Sequence, residues 1–184
     1  MGTVKDVLAL LDSKRAGNHA MVVYQDLNLY REVYCSYTKS RLESGEAVIL
    51  LPYFETIDSV LHYLKEYGID VDSYRKGTML IILDSVAQFF GTDPDFVGYL
   101  SLMDRRAREQ GSGSINVVAD ITAFHHFEDV EGMLEYERRM QQALKGMRVS
   151  MICCYHEGNF ERLPGVLQQN VAECHTSKLE ARGV

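Results

Sequence analysis

The sequence predicts an α/β domain built on a mostly parallel sheet of about five or more strands, with helices on both faces. Three observations lead there. Short apolar runs alternate with longer stretches of helical periodicity along the whole chain, as in sheets whose strands are joined by helical crossovers. The runs are nearly continuous in apolar residues, as in strands buried on both faces. Finally, 184 residues that are 46% hydrophobic can fill one sizeable core but not two. A single domain over residues 1–184 is therefore expected.

In chain order, Val4 to Arg15 sets Val4, Val7, Leu8, Leu10 and Leu11 on one broad face and reads as a short amphipathic helix, ended by Gly17 and Asn18. The compact run His19 to Tyr24 is a strand, and Asp26 is a suitable cap for a helix continuing to Ser44. Gly45 stops that helix, and Glu46 to Leu51 forms a second buried strand. After a turn at Pro52, Ile57 to Tyr67 is helical, Gly68 closes it, and Asp70 to Gly77 reads as a turn-like segment. Thr78 to Leu83 is the third strand and Asp84 to Gly91 a short helix. Asp93-Pro94 then starts a helix running to about Gln110. Gly111 to Ser114 is a loop, Ile115 to Ile121 the fourth strand, Glu128 to Leu144 a helix, Arg148 to Tyr155 the fifth strand and Phe160 to Glu173 a last helix. No repeat or low-complexity segment interrupts the scheme.

Composition narrows the partners. With 26 acidic against 19 basic residues the formal charge is -7, unfavourable for a protein that holds nucleic acid through its phosphates. Arg105, Arg106 and Arg108 alternate with apolar positions and are matched by Asp104 and Glu109, the pattern of a solvated helix face. No apolar run approaches a membrane span and no signal-peptide pattern opens the chain, so a cytoplasmic location and no membrane partner are expected. Cys35, Cys153, Cys154 and Cys174 lack framework spacing and read as reduced thiols.

In such sheets ligands gather at the carboxyl ends of the strands. The first strand-to-helix turn, where a phosphate loop belongs, reads Tyr24-Gln25-Asp26-Leu27-Asn28-Leu29. It has no glycine to let the backbone approach an anion and no lysine to neutralise one, and Asp26 repels phosphate. Nucleotide hydrolysis is therefore not expected. Asp120 ends a buried strand, where some ATPases hold a magnesium-binding carboxylate, and its alternative is to cap the following turn. Glu135 and Glu137 are two apart on a helix that also carries Glu131, Arg138 and Arg139. At most one of the pair faces a site, and a salt-bridged surface helix is the plainer account.

Cys153, Cys154, His156, Cys174 and His175 are soft metal ligands, but adjacent residues on a strand point to opposite faces and the spacing is not that of structural zinc sites. No metal and no cofactor are expected, and nothing marks a cysteine as an activated nucleophile. His125 and His126 are read as polar loop residues beyond the fourth strand. Tyr24, Tyr53, Phe54, Phe124, Phe127 and Tyr155 fall near strand ends and suit either core packing or a crevice for a small, largely apolar ligand.

Over Gly45-Glu46, Glu55, Gly68 with Asp70, and Lys76-Gly77, order and spacing resemble a RecA-like domain of the circadian-clock ATPase type. From His19 to about Lys178 the chain more closely resembles the MEDS domain, a sensory domain named for methanogens, methylotrophs and a dichloromethane-responsive regulator. The likeness rests on His19 with Tyr24 and Asp26, Gly45-Glu46, Gly68 with Asp70, Gly77, Asp120, Glu135-Tyr136-Glu137, Cys154-Tyr155, Phe160 and Cys174-His175. The chain departs from the family wording at Gly91-Thr92-Asp93-Pro94-Asp95-Phe96, and no tryptophan follows Asp120.

The resemblance implies a RecA-like fold without its phosphate loop, with a core at 19–178 preceded by an N-terminal helix in 1–18. It also implies a non-enzymatic sensory domain that binds a small organic ligand in the degenerate nucleotide crevice. Such a domain relays to a separate signalling protein, such as a histidine kinase or transcription regulator, and a homo-oligomer is compatible with it. His19, Tyr24, Asp120, Glu137, Tyr155 and His175 are the expected ligand contacts or the network beneath them. A degenerate nucleotide binder and a purely structural oligomerising subunit are the alternatives.

Overall fold

A computed structural model describes residues 3–12, 17–91, 95–109 and 113–182. The apolar runs become strands as expected: β1 (His19–Tyr24), β2 (Ala47–Leu51), β3 (Leu80–Ile82), β4 (Ile115–Asp120), β5 (Val149–His156) and a further strand, β6 (Ser177–Ala181). They form one parallel sheet in the order β3-β2-β4-β5-β1-β6. Around it lie α1 (Val4–Asp12), α2 (Leu27–Glu43), α3 (Ile57–Glu66), α4 (Val71–Lys76), α5 (Ser85–Phe90), α6 (Phe96–Glu109), α7 (Thr122–His126), α8 (Val130–Leu144), α9 (Glu157–Phe160) and α10 (Gly165–Glu173).

Alternation along β1 divides the core in two. Ala20, Val22 and Tyr24 face one side, packed with residues of α1 to α4, while Met21 and Val23 face the other with residues of α6 to α10. All six residues of β1 are buried, the pattern of a strand covered on both faces. Short polar side chains start the helices: Asp26, Thr56, Asp70, Asp84 and Asp129 each accept a hydrogen bond from a first-turn backbone N–H of α2, α3, α4, α5 and α8. At Gly45 and Gly68 the chain leaves α2 and α3 with φ of 75° and 77°, a left-handed conformation that glycine adopts without a Cβ clash.

The chain leaves β1 toward β2 but leaves β5 toward β6. The carboxyl ends of β1 and β5 therefore flank the point where the direction of winding reverses, the position of binding crevices in such sheets.

Several expected boundaries move for local reasons. Asp70 to Gly77 contains a capped helix, α4, too short to show periodicity. Thr78 then takes φ 56°, so the third strand begins at Leu80 instead of Thr78. The segment after β4 turns at once into α7, with Ile121 already in helical geometry. Pro164, with no N–H to continue a helix, divides the expected Phe160 to Glu173 helix into α9 and α10. The helix expected to begin near Glu128 starts at Val130, because Glu128 has φ 55° and Asp129 is the cap. Residues 13–15 of the expected first helix, the Asp93-Pro94 start and residues 111–112 of the glycine-serine loop lie outside the described residues. Among the described residues, no helix is long and apolar enough to cross a membrane.

Candidate functional site

The β1–α2 turn is closed by its own side chain. Asp26 Oδ1 accepts from Asn28 N at 2.8 Å and from Leu29 N at 3.1 Å. The helix N–H groups that would hold a phosphate are thus engaged by a carboxylate.

One strand inward, Tyr24 and Asp120 meet on the α2 side of the sheet, both wholly buried. The Tyr24 hydroxyl donates to Asp120 Oδ2 at 3.2 Å and lies 3.4 Å from Thr122 Oγ1, while Thr122 N donates to Asp120 Oδ1 at 3.0 Å. Burial pushes the Asp120 carboxyl up to about 6, against the opposing pull of the Thr122 and Tyr24 hydrogen bonds. Tyr24 stacks on Tyr30 at 4.8 Å between ring centroids. Glu55, beyond β2, is likewise occupied: Arg31 Nε donates to it at 2.7 Å and the Tyr34 hydroxyl at 3.1 Å.

Above this network, at the carboxyl ends of β2, β4 and β5, opens a crevice of about 300 Å³ lined by Tyr53, Phe54, Thr122, His125, His126, Asn159 and Arg162. A second hollow, of about 340 Å³, shares His125, Asn159 and Arg162 with it and extends over Leu163, Pro164 and Leu167. Phe54 is 44% exposed. Arg162 is exposed and makes no ion pair among the described residues. Thr122 belongs both to the crevice and to the buried Tyr24–Asp120 network, so it joins the surface to the sheet.

A second polar cluster lies on the other face, between the sheet, α8 and α10. Glu137 of α8 is wholly buried. Its Oε2 stands 3.1 Å from His19 Nε2, 3.3 Å from His175 Nε2 and 3.4 Å from Cys153 Sγ, and its Oε1 accepts a short hydrogen bond from the Tyr155 hydroxyl. Burial opposes the charged form of Glu137, but His175 and His19 outweigh it and hold the carboxyl well below the usual range. Burial first, then Glu137, pushes the Cys153 thiol and the Tyr155 phenol well above theirs. His19, Glu137, Cys153 and His175 each offer one ligand atom, all within 4.8 Å of one another, a set able to hold a metal ion.

The six expected residues thus divide into two groups on opposite faces of the sheet. Tyr24 and Asp120 form one, and His19, Glu137, Tyr155 and His175 the other. None is more than 9% exposed, so they lie beneath the surface and not at the mouth of the crevice. Glu135 faces solvent while Glu137 is buried, so the helix is not simply a salt-bridged surface helix. Arg105, Arg106 and Arg108 lie on an exposed face, with Arg108 paired to Asp104.

Cys153 and Cys154 point to opposite faces, as strand geometry requires, but the polar cluster takes only one member of each adjacent pair, Cys153 and His175. Cys174 Sγ bonds to Asn170 O and the His156 ring lies against Tyr24. Thr122 is not marked as a binding residue by the sequence, because a threonine after a strand carries no signal, whereas Cys153 stands among the soft metal ligands and is discounted only because its strand neighbour points the other way. Phe124 is buried against Phe89 and Phe90, leaving Tyr53, Phe54, His125 and His126 as the rings of the crevice.

A parallel sheet of this strand order, with Asp26 closing the turn where a phosphate loop would stand, is a RecA-like fold without that loop. Solved structures agree on the fold. A KaiC-like protein of the hyperthermophilic archaeon Pyrococcus horikoshii superposes with a TM-score of 0.59 at 15% identity, over 90% of this chain and 72% of that one. An uncharacterised protein of the same organism, in complex with an unknown peptide, gives 0.72 at 11% identity over 100% and 86%. No curated protein matches the sequence. The chain belongs to the MEDS family, the methanogen/methylotroph, DcmR sensory domain, whose profile matches residues 18–176.

Proposed function

We propose that this chain is a non-enzymatic sensory domain that takes a small organic molecule into the crevice between Tyr53, Phe54, His126 and Arg162 and relays its occupancy to a separate signalling protein. The carrying observation is the crevice itself, with aromatic walls, a cation that makes no ion pair among the described residues, and a floor at Thr122 that connects to the buried Tyr24–Asp120 pair. Membership of a sensory-domain family supports the reading. Three groups that nucleotide chemistry would call on are engaged internally: the α2 N-terminus by Asp26, Asp120 by Tyr24, and Glu55 by Arg31 and Tyr34. The rings suit an apolar body and Arg162 an acceptor or acid group.

The test is isothermal titration of the full chain with a panel of small aromatic and aliphatic acids and alcohols, and with ATP plus magnesium. At least one panel member binds, and Phe54→Ala and Arg162→Ala each weaken that binding about tenfold, the order of one lost ring contact or charge-assisted hydrogen bond. Binding of ATP plus magnesium alone would overturn the reading in favour of a nucleotide binder.

A further inference from the structure

We propose that His19, Glu137, Cys153 and His175 form a closed, tetrahedral metal centre of the zinc class, buried between β1, β5, α8 and the segment before β6. The ligand set is His₂-Glu-Cys, assembled from four separate parts of the chain.

The distances fit. Zinc bonds of about 2.0–2.3 Å to nitrogen, oxygen and sulfur, set tetrahedrally, separate the ligand atoms by about 3.3–3.6 Å. The separations here are 3.1 Å for His19 Nε2–Glu137 Oε2, 3.3 Å for His175 Nε2–Glu137 Oε2, 3.3 Å for His19 Nε2–Cys153 Sγ and 3.4 Å for Cys153 Sγ–Glu137 Oε2.

The surrounding hydrogen bonds have the form of metal sites, where each ligand is held from behind. His19 Nδ1 donates to Cys174 O at 2.9 Å and His175 Nδ1 donates to Val171 O at 2.8 Å. Carbonyl oxygens only accept, so each Nδ1 carries its hydrogen, and in the neutral ring each Nε2 presents a lone pair to the cluster. Tyr155 donates to Glu137 Oε1, leaving Oε2 to face inward.

Without a cation, two imidazoles and a thiol share one carboxylate. Two neutral rings aim lone pairs at it, two protonated rings bury two positive charges against one negative, and a single protonated ring leaves a buried ion pair with the other ring's lone pair met only by the weak Cys153 thiol donor. The buried His175 Nε2 has no well-formed hydrogen bond among the described residues, its nearest polar neighbour being Glu137 Oε2 at 3.3 Å. A divalent ion accepts both lone pairs, and with Glu137 and the Cys153 thiolate it gives a neutral centre, the thiol proton passing to solvent. Four protein ligands leave no open position, so the ion is structural and ties the start of β1 to β5, α8 and the chain entering β6.

The experiment uses the full chain, stripped by chelator under reducing conditions and refolded from urea with cobalt(II) or zinc. One equivalent of cobalt binds, with the intense visible bands of four-coordinate geometry and a near-ultraviolet thiolate charge-transfer band, and zinc displaces it. Cys153→Ser loses the thiolate band, whereas Cys154→Ser, on the opposite face, retains it. Tyr155→Phe keeps the spectrum but weakens affinity about tenfold or more. Glu137→Gln loses stoichiometric binding, and if that variant does not fold, the cysteine pair decides. A wild-type chain that refolds by circular dichroism yet binds neither metal would overturn the proposal. So would an octahedral cobalt spectrum, or a thiolate band that survives in Cys153→Ser.

Discussion

Asp120 sits where its charge is unfavourable, and that has a measurable sign. Its folded value near 6 lies above the ordinary 3.8, so between those pH values the folded state binds a proton that the unfolded state does not. Stability from this group is complete below about pH 4 and is lost as pH rises through 6, by about 3 kcal/mol in all. Asp120→Asn cannot ionise and keeps an oxygen for Thr122 N. It is therefore expected to be up to about 3 kcal/mol more stable than wild type at pH 7, with little difference at pH 4, by urea unfolding. A variant less stable at pH 7 would mean that Tyr24 requires the ionised carboxylate. At this scale the sequence was informative about polarity and silent about partners. Asp120 at a strand end was legible from the apolar run before it, and periodicity showed that at most one of Glu135 and Glu137 faces inward, while the choice of Glu137 came from the family resemblance. Their neighbours come from elements 96 and 118 residues away along the chain, Tyr24 for Asp120 and His19 for Glu137, distances that no local pattern spans.

Elements were legible where hydrophobic periodicity or apolar runs had length to speak through. The first, second, fourth and fifth strands stand out because each is buried on both faces, and capping aspartates and terminating glycines set the helix limits. Among short or edge elements, β3 and α5 were legible, but α4, α7 and β6 were not. The β6 sequence, Ser177-Lys178-Leu179-Glu180-Ala181, has a polar edge-strand composition that reads as a loop, yet it pairs with β1 from Ala20↔Ser177 to Tyr24↔Ala181. A protective role follows from that pairing. Truncation after Thr176 leaves the wholly buried, mostly apolar β1 as an open edge, and such edges template intermolecular pairing. The truncated chain is expected to aggregate at concentrations where the full chain stays monodisperse or forms a defined oligomer, as read by light scattering. Unchanged scattering would show that β1 is covered some other way. Asp26 gives a second element-scale expectation: Asp26→Ala removes both capping bonds of α2 and costs about 1 kcal/mol in thermal or urea unfolding.

At the scale of the whole molecule, the proposed function assigns sensing to the crevice and leaves stability to the buried clusters. A ligand that binds only the folded state at a hundred times its Kd adds about 2.7 kcal/mol. For a chain of this size that raises Tm by about 5–10 °C. Arg162 is exposed and free of ion pairs among the described residues, and Phe54 is 44% exposed. Arg162→Ala and Phe54→Ala are therefore expected to leave the ligand-free Tm within about 2 °C, since exposed substitutions change stability by about 0.5 kcal/mol, while shrinking the ligand-induced rise. The acid-dependent part of that rise should also fall with added salt, because the contact at Arg162 is open to solvent and screened. Differential scanning fluorimetry with and without ligand, at low and high salt, separates these effects. Equal ligand-induced shifts in wild type and both variants would place the binding site away from this crevice. Loss of ligand-free stability in Arg162→Ala would instead make that residue part of the scaffold.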